Sequence, residues 1–322
     1  MKAAVYYETG GPEVFRYEEL PDPTVRPGGV IIDVKAVGIQ GGDLLHRSGG
    51  VMATTPHVVG YQAAGVIREA GDRVETLRPG QGVVASMGFG SHASVVSVPA
   101  SACYVVPDGL SLEEAACVPV EFGTAHDCLF EFGHLEDGET VLVQAGAGGV
   151  GLAAIQLAKR AGATVLATAS SNERLQRLHD YGMDHGINYR TEDMVARVME
   201  LTGGRGVDLV VDPVGGKTLE GSVQALAYRG RISWVGRAGR EDVLPDISPL
   251  MQKNASITGV FLGAEMGMNA ARVRPIIEQM LQDIAAGQLK VVIDRRFPLS
   301  EAAEAHRYIE SRQAFGRVVL IP

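Results

Sequence analysis

Residues 141–151 read VLVQAGAGGVG. The first three side chains are apolar and branched, as in a short buried strand. Gly146, Gly148 and Gly151 then follow the spacing G-x-G-x-x-G, and Leu152 to Arg160 continues with helical periodicity. Strand, glycine turn and helix in that order are the setting in which the spacing marks a dinucleotide site. One glycine makes a tight turn, one lets backbone approach a pyrophosphate, and one lets the helix pass close to the strand. Gly149, Val150 and Gly151 open the helix, where unpaired N–H groups face an anion.

Outward from this stretch, strands are expected at 141–144, 164–168, 185–187, 208–212, 231–236 and 256–260. Helices fit at 150–160, 172–181, 192–201, 217–227 and 273–286. Such alternation predicts a mostly parallel sheet covered on both faces. The first hundred residues differ. Short strands at 3–7, 29–37, 65–70, 82–85 and 93–99 are separated by turns such as PDPTVRPGG and LRPGQG, which predicts a β-rich barrel or sandwich. Ser111 and Glu114 form a capping box, and a helix is expected at 124–132. The tail predicts a strand at 290–293, a helix opening at Ser300 and a closing strand at 316–321. It should return to the N-terminal domain, giving boundaries at 1–118, 119–261 and 262–322 and an active cleft between domains.

The 322 residues are 46% apolar and 21% charged, with a formal net charge of −9. That balance argues against nucleic acid as the main partner. The N-terminal segment lacks the pattern of a signal peptide, and no apolar run approaches membrane-spanning length, so a soluble cytoplasmic protein is expected. Cys103, Cys117 and Cys128 are odd in number and lack C-x-x-C spacing, and they read as buried thiols.

The choice between NAD and NADP falls about 20 residues past the glycines, where an acid would accept ribose hydroxyls and repel a 2′-phosphate. The segment reads LATASSNERLQ, with Ala169, Ser170 and Ser171 in that place. Ser170 and Glu173 have capping-box spacing, which would commit Glu173 to the helix start. Arg174 follows within reach of a phosphate, and Tyr189 in INYR can flank the adenosine. NADPH is the expected cofactor.

Together AGAGGVGLAAIQLAKRAGATVLATASS, INYRTED, GRGVDLVVDPVGG, GRISWVG and FPLSEAAEAHRYIES…GRVVLIP carry a resemblance. Along essentially its whole length the chain resembles the zinc-free quinone oxidoreductase (zeta-crystallin-like) branch of the medium-chain dehydrogenase/reductase superfamily. The resemblance implies an α/β protein: a GroES-like β-rich catalytic domain plus a doubly wound Rossmann domain with a parallel sheet. It also implies a homodimer, here through an edge strand near 256–260, where an uncovered apolar edge invites pairing. Cofactor positions of the family fall on Thr124, Gly236, Lys253 and Asn254, and substrate positions on Gln40, Leu45 and Val51.

Zinc alcohol dehydrogenases of the superfamily place a cysteine at the position of Gln40 and a G-H-E motif at Gly60-Tyr61-Gln62. Glutamine and tyrosine are not ordinary zinc ligands, and the cysteine-rich lobe that would fall near 88–94 is missing. No catalytic metal is expected. His46, His57 and His92 read as isolated surface or capping histidines. Oxidising an unactivated alcohol needs a Lewis acid or a matched acid–base pair, whereas a conjugated acceptor delocalises the arriving charge onto oxygen. The resemblance therefore implies metal-independent, NADPH-dependent reduction of a quinone or an α,β-unsaturated carbonyl, a small-molecule electron acceptor. The alternatives are an enoyl-thioester reductase, or a non-catalytic NADPH-binding structural or RNA-binding protein of the crystallin type. Gln40 is the candidate for orienting substrate and stabilising an enolate. His46 is a candidate proton donor, though the sequence shows no partner to orient it. Asp43 reads as a turn or N-cap residue, with Arg47 as its expected ion-pair partner.

Overall fold

Strand Thr140–Val143 lies inside a six-stranded sheet. The order across it is His185–Asn188, Thr164–Ala169, Thr140–Val143, Val207–Asp212, Leu226–Trp234, Ser256–Gly259. Every neighbouring pair is parallel. The chain runs outward through the strands at 164 and 185, then crosses back to build the other half from Val207. The order therefore reverses beside Thr140–Val143, the kind of switch point at which doubly wound sheets bind ligands. Val141, Leu142, Val143, Val165, Leu166, Val210 and Val211 are all buried, and so these strands read as continuous apolar runs without alternation. The helix Gly149–Arg160 buries Leu152, Ile155 and Leu157.

The computed structural model describes residues 1–241 and 243–322. Two units form: Glu121–Ala270 carries the parallel sheet, and Met1–Val120 with Ala271–Pro322 forms the other. Helix Leu262–Met268 stays with the parallel-sheet unit, so the return begins at Ala271 and not at residue 262.

In the β-rich unit the main sheet runs Ile293–Pro298, Arg317–Ile321, Gly29–Gly38, Gln62–Ala70, Gly82–Ser86, Cys103–Val105, with Val95–Pro99 also paired to Gly29–Gly38. A second sheet holds Arg16–Glu19, Lys2–Tyr6 and His57–Val58. Val30, Ile32, Val34, Ile67, Val83, Val318 and Leu320 share one core. The C-terminal strand pairs antiparallel with Gly29–Gly38, Leu320 opposite Val37.

Several elements depart from the sequence expectations. Helix Gly41–Gly49 occupies a stretch for which the sequence predicts no element beyond a turn or N-cap at Asp43; its glycines and polar residues hide the face formed by buried Asp43, Leu44 and Arg47. The tail strand is Ile293–Pro298 rather than 290–293, because pairing with Arg317–Ile321 holds a stretch whose composition is polar. Strand Leu226–Trp234 starts directly after helix Gly216–Ala225. Among the described residues no helix is long and apolar enough to cross a membrane.

Candidate active site

The glycine turn sits at the carboxyl end of Thr140–Val143. Gly148 is the N-cap of helix Gly149–Arg160, whose first turn carries no acid and whose last turn carries Lys159 and Arg160. That polarity leaves the positive end of the helix macrodipole uncompensated, as an anion site requires. A Cβ at Gly151 would lie 2.5 Å from the Ala145 carbonyl oxygen, so only glycine allows this close passage. The left-handed residue of the turn is Ala145, at φ 52°, and none of the three fingerprint glycines adopts a positive φ.

A buried polar chain holds the turn from below. The Ala145 N–H donates to Thr168 Oγ1 at 3.0 Å, Thr168 Oγ1 donates to Gln144 Oε1 at 2.8 Å, and Gln144 Nε2 donates to Ser222 Oγ at 3.1 Å. Ser222 Oγ then donates to Asp212 Oδ2 at 2.8 Å, while Asp212 Oδ1 accepts from the Val214 and Gly215 amides. Burial raises the Asp212 carboxyl above the usual aspartate range, and these donors partly oppose the shift. The chain ties the ends of three neighbouring strands together. Sequence reading missed it because its members are distant in the chain and belong to no motif.

In the segment expected to meet the adenosine, the helix Asn172–Leu178 is capped by Ser171, whose Oγ accepts from the Arg174 N–H at 3.3 Å. The expected Ser170–Glu173 box is therefore corrected by one residue. Ser171 is the extended residue, at φ −160°, and its hydroxyl reaches the third amide of the helix, that of Arg174. Ser170 is released from the cap. The Tyr189 N–H donates to the Ala169 carbonyl at 3.2 Å, which brings the backbone of this exposed residue next to the serine segment. No carboxylate occupies residues 169–171.

Thr124 is buried in helix Pro119–His126. Gly236 follows strand Leu226–Trp234 at the carboxyl edge, with its carbonyl accepting from Trp234 Nε1 at 2.7 Å. Lys253 and Asn254, expected on the cofactor side, are engaged within the parallel-sheet unit. Lys253 Nζ donates to the carbonyls of Gln224 at 2.6 Å, Leu226 at 2.7 Å and Val223 at 3.4 Å, closing the end of helix Gly216–Ala225. Those three acceptors use all three ammonium protons. Asn254 is a left-handed C-cap whose Nδ2 donates to Tyr228 Oη at 3.0 Å.

The β-rich unit gathers the substrate-side candidates around helix Gly41–Gly49. Gln40 is its buried N-cap, its Nε2 donating to the Gly38 carbonyl at 3.4 Å, and the Asp43 carboxylate accepts from the Gln40 N–H at 2.7 Å. Leu45 and Val51 are exposed. Gln62 is buried and accepts from the Val120 N–H at 3.0 Å. The Tyr61 ring lies over Gly42, where a Cβ would come within 2.5 Å of it. Burial, and then the Asp43 charge, push the Tyr61 phenol up to about 12, so it remains a donor at neutral pH. Arg47 pairs with Glu310 at 2.6 Å and not with Asp43 as expected, because the guanidinium points toward helix Ala302–Glu310. His46 and His57 are not isolated either. Tyr6 Oη is 3.0 Å from His46 Nδ1, and the two imidazoles stack with centroids 4.9 Å apart. Tyr6 escaped the sequence reading because nothing along the chain links it to His46, and His57 and Tyr61 read there only as an isolated histidine and a replaced zinc-motif position.

Among the described residues no group of three or more His, Cys, Asp or Glu is arranged to hold a metal ion. Gln40 stands where the sequence comparison expects the cysteine of zinc alcohol dehydrogenases, and Tyr61 where it expects the histidine of G-H-E.

Residues 26–108 match the alcohol dehydrogenase GroES-like domain family, and residues 149–286 match the zinc-binding dehydrogenase family. A 2-haloacrylate reductase of a Burkholderia species is 33% identical over 99% of this chain and 98% of its own length. A highly reducing polyketide synthase of Didymella fabae is 34% identical over 95% of this chain, which spans 16% of that longer protein. The Escherichia coli quinone oxidoreductase, solved in complex with NADPH, superposes with a TM-score of 0.94 at 30% identity, covering 100% of both chains. With both domains matched and near-complete coverage at this identity, the chain belongs to the zinc-free quinone oxidoreductase branch of the medium-chain dehydrogenase/reductase superfamily.

Proposed function

We propose that this protein is an NADPH-dependent, metal-independent reductase of an alkene conjugated to a carbonyl, with quinones as the related acceptors. NADPH, when bound, supplies the hydride. The amides at the start of helix Gly149–Arg160 hold the pyrophosphate, and Gly151 keeps the helix close enough for them to converge on it. Ser170, Ser171, Arg174 and Tyr189 receive the phosphorylated ribose, with no acid among residues 169–171 to repel it.

Gln40 and Tyr61 act on the acceptor. Hydride addition to the β-carbon moves charge onto the carbonyl oxygen, and fixed donors lower the cost of that charge. The Gln40 amide is anchored at Gly38, and Tyr61 is a phenol that stays protonated at neutral pH. The observation that carries the reading is this pair of neutral donors at positions where zinc relatives hold ligands. Neutral donors suffice for an enolate and are poor substitutes for a Lewis acid acting on an alcohol. Exposed Leu45 and Val51 favour an aliphatic acceptor over a flat ring that needs aromatic stacking.

The test is NADPH oxidation with a cyclic enone, 1,4-benzoquinone, crotonyl-coenzyme A and a saturated ketone as acceptors, with and without chelator. Turnover of the enone or quinone that survives chelation supports the reading. Tight NADPH binding without turnover of any acceptor favours a non-catalytic protein. Loss of turnover on chelation overturns the metal-independent mechanism.

A further inference from the structure

We propose that His46 delivers the proton that completes alkene reduction, held for that task by Tyr6 and His57; the proposal rests on the reductase reading above.

The ring is fixed on several sides. Its Nδ1 is 3.0 Å from the hydroxyl of Tyr6, a residue that is fully buried. One face stacks on His57 at 4.9 Å and 18°, and His57 is in turn braced by Tyr6 at 5.2 Å and Phe89 at 5.3 Å. At Gly50 the backbone passes so close that a Cβ would lie 2.9 Å from His46 Cδ2. With Nδ1 committed to Tyr6, Nε2 is the ring atom left for a reacting group, and the side chain is half-buried, so solvent can reload it.

The stacked partner does not compete for the proton. Two imidazolium rings at this separation would repel strongly in a medium less polar than water. His57 is fully buried and neither of its nitrogens has a hydrogen-bond partner, so an imidazolium there would lose hydration and gain nothing. Burial, and then the neighbouring His46, push His57 below the ordinary histidine range. His46 faces the Tyr6 hydroxyl, Asp43 and Arg47 share its helix, and the Tyr61 phenol lies near enough to act on Tyr6. The Tyr6 hydroxyl can donate to Nδ1 of the neutral ring or accept from Nδ1–H of the imidazolium, so the contact survives both states.

The step balances. Hydride forms the new C–H bond at the β-carbon, and the π electrons move into an enolate. The enolate α-carbon takes the Nε2 proton: one N–H bond breaks, one C–H bond forms, and the imidazolium becomes neutral imidazole. Solvent returns the proton. No oxidant is needed beyond the acceptor itself.

The experiment is reduction of 2-methylcyclohex-2-enone by NADPH in D2O, comparing wild type, His46→Gln and Tyr6→Phe. Wild type should place deuterium at the α-carbon in one configuration. His46→Gln should give both configurations with kcat reduced roughly 100-fold and little change in KM. Tyr6→Phe should lower kcat with partial loss of configuration. Without NADPH, nitrogen NMR should show a single His46 tautomer in wild type and a mixture in Tyr6→Phe. Unchanged configuration and kcat in His46→Gln overturn the proton donor while leaving the reductase reading intact. An unchanged tautomer in Tyr6→Phe overturns the positioning role. Absence of enone turnover in wild type removes the reductase reading and this proposal with it.

Discussion

The Nε2 atoms of His92 and His306 face each other at 3.1 Å in the core of the β-rich unit. One must donate and the other accept. The Arg47 guanidinium, 3.4 Å from His306 Nδ1, can only donate. His306 therefore carries its proton on Nε2 and gives it to His92 Nε2, which leaves the His92 proton on Nδ1. Arg47 also donates to the Gly10 carbonyl at 3.2 Å and pairs with Glu310. Helix Gly41–Gly49 is thus tied to the C-terminal helix by a chain of fixed polarity.

That chain predicts a pH dependence of stability. Burial pushes His92 down to about 3, with a hydrogen bond to the Val59 backbone acting the other way. The unfolded chain takes up this proton near the ordinary histidine value of about 6.5, and the folded chain does so only near the depressed value. The contribution is therefore complete above the unfolded value and is lost as pH falls through the interval toward 3. The slope from one such group reaches about 1.4 kcal/mol per pH unit. His92→Gln keeps an acceptor near the Nε2 position and cannot titrate, so urea midpoints should lose this slope between about pH 6 and about pH 4. An unchanged slope would assign the acid sensitivity to other groups.

The glycine turn predicts two opposite backbone effects. Ala145 holds φ 52°, a conformation that costs a non-glycine residue about 1 kcal/mol. Ala145→Gly should raise the thermal midpoint by roughly 2–4 °C. Gly151→Ala should lower stability and weaken NADPH binding together, since the new methyl meets the Ala145 carbonyl. Calorimetry and NADPH titration on both variants check this, and equal behaviour of the two would contradict it.

Arg174 and Lys253 separate cofactor binding from helix capping. Loss of a charged hydrogen bond to phosphate costs about 1.5–3 kcal/mol. Arg174→Ala should therefore raise the NADPH KM by roughly 10- to 100-fold and leave the NADH KM nearly unchanged. Lys253→Met should leave both constants alone and lower stability by about 1 kcal/mol, because helix Gly216–Ala225 loses the ammonium that binds its last carbonyls. A selective NADPH defect in Lys253→Met would restore it to the cofactor site.

Strand Ser256–Gly259 ends the parallel sheet, and Met251 and Phe261 nearby are 79% and 74% exposed. We propose that this edge pairs two copies into a homodimer. Light scattering should give a dimer for wild type and a monomer for Met251→Asp with Phe261→Asp. A monomeric wild type, or a double variant that stays dimeric, would exclude this interface.

The parallel sheet was legible because each element carries a local signal: buried strands are continuous runs, the glycine spacing marks the turn, and helices show their own period. The β-rich unit was legible only as strands and turns. Helix Gly41–Gly49 escaped because its glycines suppress helix propensity, and its fold-specific contacts come from far along the chain, through Gly10, His306 and Glu310. Gln40 could be found by matching it to a family position. Tyr6 and His57 could not, since the contact between Tyr6 and His46 exists only after the second, three-stranded sheet has formed. The one-residue shift of the cap from Ser170 to Ser171 reflects the same limit. Adjacent serines offer the same chemistry, and backbone direction decides which hydroxyl reaches the helix amide.

The most direct measurement is the fate of deuterium from 4-deuterated NADPH during reduction of cyclohex-2-enone, followed by NMR of the product. The proposed chemistry predicts a saturated ketone with deuterium at the β-carbon and the same yield in the presence of a chelator. Deuterium at the carbonyl carbon of an alcohol product, formed only while metal is present, would contradict it.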